Sequence, residues 1–204
     1  MRWRQNKQML PIAASAAQAD LRRSLNEGDD MKRIMIVLSL CLSASLALAK
    51  DIPVDLDGKT VTVKATTTNR EIVAKDISSG DQKSPLGCSL LYYALLAKGD
   101  VAQASTLSTN PKATTEKWET FKQRVGADEF KKAMAAYFTS QNIVLAELHV
   151  GESVMLVVKT ADYTAGQMYV RQDGKWLMAE SLETEAGQAF GKILSKIQDG
   201  EMTF

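Results

Sequence analysis

The fold of this chain is decided by residues 143–181, which read IVLAELHVGESVMLVVKTADYTAGQMYVRQDGKWLMAES. Apolar and polar side chains alternate through most of this stretch, and a period of two residues is typical of β-strands. The pattern predicts four strands, at 143–150, 153–160, 167–171 and 175–181. Because only short connections separate these strands, we expect them to form a consecutive antiparallel meander.

The last two predicted strands are joined by Asp173 and Gly174, a dipeptide that favours a two-residue hairpin turn. Such a turn fixes the register of the hairpin. It predicts that the following cross-strand pairs form: Gln172 with Lys175, Arg171 with Trp176, and Tyr169 with Met178. Arg171 should then lie near the Trp176 ring, within reach of a cation–π contact.

Upstream of the strands, the apolar period changes to that of helices. Ser84 followed by Pro85 is a helix start signal, because serine caps the first turn and proline suits the first helical position. Apolar side chains then recur at the spacing of one helix face. The same spacing predicts a further helix at 101–107 and, over 115–138, either two short helices or one helix broken at Gly126.

Two further segments flank these elements. Residues 50–83 show strand-like alternation around Val61 and Val63, so we expect a strand-rich or mobile entry segment. Residues 183–198 have the pattern of an amphipathic helix that closes at Gly200. The predicted class is therefore α+β, with N-terminal helices, an antiparallel sheet and an extra C-terminal helix.

This order of elements resembles the nuclear transport factor 2-like superfamily, the cone-shaped cystatin-like folds that include ketosteroid isomerases and SnoaL-type polyketide cyclases. The likeness spans residues 84–182. It is carried by the order of the elements, by the Lys98-Gly99-Asp100 break between two helices, and by the closing hairpin YVRQDGKWLM at 169–178. The resemblance implies that residues 84–204 form a domain in which helices pack on a curved sheet around an apolar pocket. The entry segment and the C-terminal helix depart from that pattern, and either could cover the cone's mouth.

Residues 31–49 have the order of a cleavable secretory signal. A basic Met-Lys-Arg start is followed by an apolar run over 34–48 and by the small-residue site Ala47-Leu48-Ala49. The run is shorter than the ~20 apolar residues of a membrane-spanning helix. We therefore expect cleavage after Ala49 and a periplasmic or secreted protein without a membrane span.

A signal peptide belongs at the start of a chain, and residues 1–30 precede this one. We expect Met31 to be the real start of translation and residues 1–30 to be a leader. The alternative is that they form a long n-region.

Beyond Ala49, 18 Lys or Arg face 20 Asp or Glu without a basic patch, which argues against a nucleic-acid partner.

Composition excludes several catalytic classes. His149 is the single histidine, so a histidine-based metal site or a Ser-His triad has at most one of its parts. No P-loop, GxGxxG, CxxC or HExxH pattern occurs, and we expect neither a metal nor a cofactor. Beyond Ala49 the single cysteine is Cys88, on the apolar stripe of its helix. We expect a buried, reduced thiol there, although its place near the helix start also allows a lowered pKa.

Glu147 and His149 are the acid/base candidates of the sequence. Alternation places both on one face of their strand, whereas Val144, Ala146 and Leu148 form the other, which is the better core face. We therefore expect the pair to be solvated surface that faces away from the pocket. The sequence predicts no catalytic residue.

Aromatic and apolar side chains at helical and strand spacing are candidates to line the pocket or to fill the core. They are Tyr92, Trp118, Phe121, Phe130, Met134, Tyr137 and Tyr169. A neighbouring tyrosine, Tyr93, could join them as a hydroxyl donor. No carboxylate stands out as a base, since Asp162 lies in a predicted loop and Glu180 near a strand end.

These observations favour an exported, non-catalytic module that binds a small apolar ligand or an envelope protein, with a homodimer through the sheet as a further form of partnership. One alternative is an isomerase- or cyclase-type enzyme that uses the cone pocket. Another is a periplasmic inhibitor or immunity-type protein. Fold alone does not decide among them.

Overall fold

The computed structural model describes residues 49–179 and 183–204. Six strands form one antiparallel sheet, in which spatial neighbours follow the order of the chain. They are β1 (Ala49–Leu56), β2 (Lys59–Glu71), β3 (Ile143–Val150), β4 (Ser153–Lys159), β5 (Thr164–Gln172) and β6 (Lys175–Ala179). The curved antiparallel sheet and the α+β class agree with the sequence-based prediction, which is confirmed.

The described residues contain five α-helices and two short 3₁₀ turns. The helices are α1 (Pro85–Lys98), α2 (Val101–Ser105), α3 (Pro111–Val125), α4 (Ala127–Ala135) and α5 (Glu185–Gln198), and the turns are Ala74–Ser78 and Ala136–Phe138. As predicted, Ser84 caps α1, where its side chain accepts a hydrogen bond from the Gly87 N–H, and Pro85 occupies the first position. The helices α1 to α4 lie between β2 and β3 in the chain.

The predicted register of the last hairpin is confirmed. Gln172 pairs with Lys175, Arg171 with Trp176, and Tyr169 with Met178. Asp173 and Gly174 both have positive φ angles, 50° and 76°, as a two-residue turn of this kind requires. The cation–π contact expected between Arg171 and Trp176 is not among the contacts of the described residues.

Each face of the sheet carries its own hydrophobic core. On the face that we call the helical face, Val154, Leu156 and Tyr169 pack against side chains of α1, α2 and α4. On the outer face, Leu148 and Met155 pack against α5 together with the inward side chains of β1 and β2. The sheet is thus the middle of three layers.

Paired β-bulges bend the sheet. The register shifts between Thr67 and Arg70 on β2 and, directly opposite, between Val144 and Ala146 on β3. A bulge inserts an extra residue, which bends the strand and reverses the face on which the following side chains lie. Val144 accordingly packs in the helical core, whereas Ala146 packs in the outer one.

The entry segment is part of the sheet. β1 and β2 form a hairpin around Asp57-Gly58, and residues 64–71 of β2 pair with β3. Residues 50–83 therefore do not precede a separate domain at residue 84. The C-terminal helix α5 packs on the outer face, mainly against β1 and β5, so it does not cover the helical side of the sheet.

The two sheet edges differ. Along β6, backbone bonds join Met178 to Leu107 and Thr109, and Trp176 to Gln82, so this edge is covered by loops. β1 forms the other edge. The expected homodimer stays a prediction.

Within the described residues, no helix is long and apolar enough to cross a membrane. The predicted signal and leader, except Ala49, lie outside those residues, as does Glu180.

Candidate functional site

A cleft of about 480 Å³ opens on the helical face of the sheet. It lies between α4, the 3₁₀ turn that follows it, and the 160–163 loop that joins β4 to β5. Its lining includes Tyr93, Trp118, Met134, Tyr137, Asn142, Val158, Asp162, Tyr163 and Gln167. This volume is within the range of small-molecule sites in proteins.

Gln167 is the centre of a polar network beneath the cleft. Its Oε1 accepts hydrogen bonds from Ser89 Oγ at 2.8 Å and from Tyr169 Oη at 3.0 Å. Tyr137 Oη lies 2.7 Å from Ser89 Oγ, and it also donates to Gln167 Oε1 at 3.3 Å. Ser89 and Tyr169 are fully buried. The network therefore satisfies three hydroxyl groups in an apolar surrounding.

Local geometry brings these groups together. Ser89 and Tyr93 are four residues apart on α1, so they lie on one helix face. Gln167 and Tyr169 are two residues apart on β5 and therefore lie on one sheet face. The Tyr93 and Tyr137 rings stack with their centroids 3.9 Å apart and their planes inclined by 13°.

Burial keeps the hydroxyls of this network protonated. It raises the pKa of Tyr93, Tyr137 and Tyr169 above the ordinary value of a tyrosine, and the neighbouring tyrosines raise the pKa of Tyr93 and Tyr169 further. For Tyr137, the hydrogen bonds to Ser89 and Gln167 act in the opposite direction without cancelling the effect of burial. At neutral pH all three act as uncharged hydrogen-bonding groups.

Asn142 supplies an unused acceptor in the cleft lining. Its Nδ2 donates to the Tyr137 carbonyl at 2.9 Å, while its backbone oxygen accepts from the Ile72 N–H at 2.7 Å. The side-chain Oδ1 has no partner among the described residues, although Asn142 is only 4 % exposed. An unpaired buried acceptor is costly and calls for an explanation, such as a bound water or ligand.

The rim of the cleft is held by its own hydrogen bonds. Thr160 N–H donates to the Tyr163 carbonyl at 2.8 Å, and Thr160 Oγ1 accepts from the Tyr163 N–H at 3.1 Å. This turn holds Asp162 and Tyr163 at the mouth. Tyr163 is 64 % exposed, which makes it the most exposed large hydrophobic residue of the described chain.

A second depression of about 740 Å³ runs along α3. Trp118, Phe121 and Met134 line it, and Lys117 and Arg124 lie over the Trp118 and Phe121 rings, at 5.3 and 5.2 Å from the ring centroids. This groove lies on the helices alone, whereas the cleft is enclosed by helices, sheet and loop. The cleft is the better candidate site, because small-molecule sites are concave.

The seven pocket candidates of the sequence divide into three groups. Trp118, Met134 and Tyr137 line the cleft, and Phe121 lines only the groove on α3. Tyr92, Phe130 and Tyr169 are core residues, at most 1 % exposed. Tyr92 still takes part in the wall, because its hydroxyl accepts a hydrogen bond from Trp118 Nε1.

The expectation that Glu147 and His149 face away from the pocket side is wrong. They pair with Leu156 and Val154, which belong to the helical core, so both lie on the helical face. The bulge after Val144 reversed the alternation on which the expectation rested. The pair, with Nε2 and Oε2 3.4 Å apart, is partly exposed and does not line the cleft. Val158 lines the cleft, and Val154, the partner of His149, is four residues away on the same strand, or roughly 13 Å along it.

Cys88 is buried and free, as expected. Burial raises the pKa of its thiol to about 12, an effect that its backbone hydrogen bond with Met178 only partly offsets. The thiol is therefore protonated and unreactive at neutral pH. Within the described residues, no group of three or more His, Cys, Asp or Glu could hold a metal ion.

Sequence reasoning missed Asn142 and Gln167. Both are amides next to or within predicted strands, and nothing in the alternation marks an amide as a partner of distant hydroxyls. No family model, no curated protein and no solved structure matches the chain significantly.

Proposed function

We propose that this chain is an exported, non-catalytic binding module that holds a small, mainly apolar molecule in the cleft. The aromatic and apolar lining of the cleft, with few polar side chains, is the observation that carries the proposal. An apolar ligand would cover the aromatic walls. Few convergent polar groups in an apolar lining are typical of small-molecule sites.

The polar groups of the cleft favour binding over catalysis. Acid/base catalysis needs a group that exchanges its proton near the working pH. Burial keeps the pKa of Tyr93 and Tyr137 above the ordinary range, so these hydroxyls do not exchange protons at neutral pH. Asp162 is the single carboxylate among the described residues of the lining, and it lies in an exposed loop.

Membership of the nuclear transport factor 2-like superfamily is part of the proposal. A curved antiparallel sheet with helices on one face and a cleft between them supports it. The β1–β2 hairpin before the helices and α5 on the outer face depart from the pattern.

Export is supported by the signal-like order of residues 31–49. Intact-mass analysis of periplasmic protein should show a chain that begins at Lys50, and any peptide from 1–30 would contradict processing at Ala49.

Binding at the cleft can be tested with a matched pair of variants. Ala133 and Ala102 are both exposed helical alanines, and Ala133 lines the cleft whereas Ala102 on α2 does not. The purified protein would be titrated with a library of small aromatic amides, amines and acids, followed by amide chemical-shift changes. We expect fragments that shift residues 160–167 to lose at least about tenfold in affinity in Ala133→Trp and to bind Ala102→Trp as they bind the parent, because a steric block removes most apolar contacts.

The proposal is overturned if no fragment shifts the cleft residues, or if Ala133→Trp and Ala102→Trp bind equally well. Thermal unfolding of both variants checks that each is folded under the conditions of the titration. Turnover of any library member by the parent protein would support the isomerase- or cyclase-type enzyme instead.

A further inference from the structure

We propose that the ligand of the cleft is an organic cation with an apolar body. The inference rests on the proposed function, and it concerns the charge of the ligand that this cleft takes. Three features carry it: the sign of the charge that lines the cleft, the tyrosine rings in its lining, and the weakly bonded hydroxyl oxygen of Tyr93.

The charge lining the cleft is negative. Among the residues that the structure describes, Asp162 is the single carboxylate of the lining, and no Lys, Arg or His lines it. The nearby cation Arg70, whose charge affects Tyr137, donates to Asp76 Oδ1 at 2.9 Å, and that carboxylate is buried. Arg70 is thus neutralised by its own partner. An anionic ligand would meet no compensating charge in the cleft, whereas a cation would meet Asp162.

Tyrosine faces supply the second attraction. Tyr93 and Tyr137 form a stacked pair in the wall, and Tyr163 is close enough to contribute to the raised pKa of Tyr93. The π face of an aromatic ring attracts cations, and clusters of aromatic rings bind quaternary ammonium groups. Trp118 is already covered by Lys117 on the groove side, so the tyrosines contribute most of this attraction. The inference also gives the exposed Tyr163 a role at the mouth.

The acceptor is the third feature. Tyr93 lines the cleft, and its Oη accepts only a long hydrogen bond of 3.5 Å from Gln167 Nε2. This oxygen can therefore interact favourably with a positively charged group. Hydrogen bonds and dipoles that satisfy a cation in a site of low dielectric constant are stronger than in water.

A pair of isosteres isolates the charge. Phenyltrimethylammonium and tert-butylbenzene have the same shape, and only the first is charged. Each would be titrated into the purified protein with chemical-shift detection at the cleft. We expect the cation to bind about tenfold more tightly or better, which is the order expected for partly desolvated cation–π contacts.

Variants then assign the difference. Asp162→Asn and Tyr163→Ala should each reduce the affinity for phenyltrimethylammonium by roughly threefold to tenfold and leave that for tert-butylbenzene unchanged. Asp51→Asn is the matched control, because Asp51 is an exposed carboxylate on β1, three strands away from β4. It should bind both probes like the parent.

The proposal that the ligand is a cation is overturned if tert-butylbenzene binds as tightly as phenyltrimethylammonium, or if neither probe binds. It is also overturned if Asp162→Asn and Tyr163→Ala both retain the full preference for phenyltrimethylammonium over tert-butylbenzene. In each case, shifts of residues 160–167 by uncharged library fragments would leave the proposed function standing, so the two failures are distinguishable.

Discussion

At the scale of single residues, one amide organises the wall of the cleft. Gln167 Oε1 accepts from two fully buried side chains, Ser89 and Tyr169, and from a third hydroxyl, Tyr137, at 3.3 Å. A carbonyl oxygen has two lone pairs, so the three hydroxyls share its full accepting capacity. The amide thus fixes the positions of side chains from α1, β5 and the turn after α4.

Gln167→Leu removes this acceptor and leaves two buried donors unpaired. We expect the free energy of unfolding in urea to fall by about 2 to 6 kcal/mol, since each of the two unsatisfied buried donors costs about 1–3 kcal/mol. Gln103→Leu is the control, because the Gln103 side chain is exposed on α2; its effect should stay within about 0.5 kcal/mol. Equal stabilities of the two variants would show that the network does not support the fold.

The raised pKa values predict how stability depends on pH. In the unfolded chain, tyrosines lose their protons near pH 10, whereas burial keeps Tyr93, Tyr137 and Tyr169 protonated to higher pH. Above pH 10 the unfolded state therefore holds fewer protons than the folded state, and the stability that is complete below pH 10 declines as the pH rises. Urea unfolding from pH 8 to 11 should show this decline, with a shallower slope in Tyr169→Phe. A parallel slope in that variant would contradict the account.

Residue patterns in the sequence identified part of the cleft. Trp118, Met134 and Tyr137 were predictable because large apolar side chains at helical spacing must face the sheet. Asn142 and Gln167 were not, because their role depends on which hydroxyls the tertiary fold brings to them. Hydrophobic periodicity carries no information about such long-range polar contacts.

At the scale of elements, local signals were sufficient where a local rule determines structure. The Asp173-Gly174 turn set the hairpin register, and Ser84-Pro85 set the start of α1. The bulge between Val144 and Ala146 was beyond such rules, because a bulge depends on how two strands distant in sequence pair. The extra residue of this bulge changed the face of the sheet on which Glu147 and His149 lie.

Two glycines test the elements separately. Gly174 has φ of 76° in the hairpin turn, whereas Gly191 lies within α5 with open space where a Cβ would be. Gly174→Ala should lower the free energy of unfolding by about 1–2 kcal/mol, because a left-handed conformation is unfavourable for alanine. Gly191→Ala should raise it by about 0.5–1 kcal/mol through helix propensity. Thermal unfolding of both variants checks the prediction, which fails if the two changes have the same sign.

At the scale of the whole molecule, the sheet separates two cores with different tasks. The helical core carries the cleft, and the outer core attaches α5 to the sheet. Sequence periodicity predicted helices and strands in all three layers. It did not predict on which face α5 packs, because an amphipathic helix shows only that it has a buried side.

This separation predicts that stability and binding respond independently to changes in the outer core. Phe190 on α5 is fully buried there, and Phe190→Ala should lower the free energy of unfolding by about 3–5 kcal/mol through the cavity that it creates. At a temperature where the variant remains folded, its affinity for fragments that bind the cleft should equal that of the parent. Calorimetric titration and urea unfolding measure the two quantities. A parallel loss of affinity in the folded variant would show that the two cores are coupled.

The central claim is that a small molecule binds in the cleft on the helical face, and methionine methyl groups report on it most directly. Met134 lines the cleft and also the groove on α3, so the test uses fragments that shift residues 160–167 of the cleft; Met155 and Met168 are buried in the outer core on the other side of the sheet. With ¹³C-methyl-labelled methionine, a bound fragment should show intermolecular nuclear Overhauser effects to the Met134 methyl group and none to those of Met155 and Met168. Overhauser effects to Met155 or Met168, or bound fragments with none to Met134, would contradict the account.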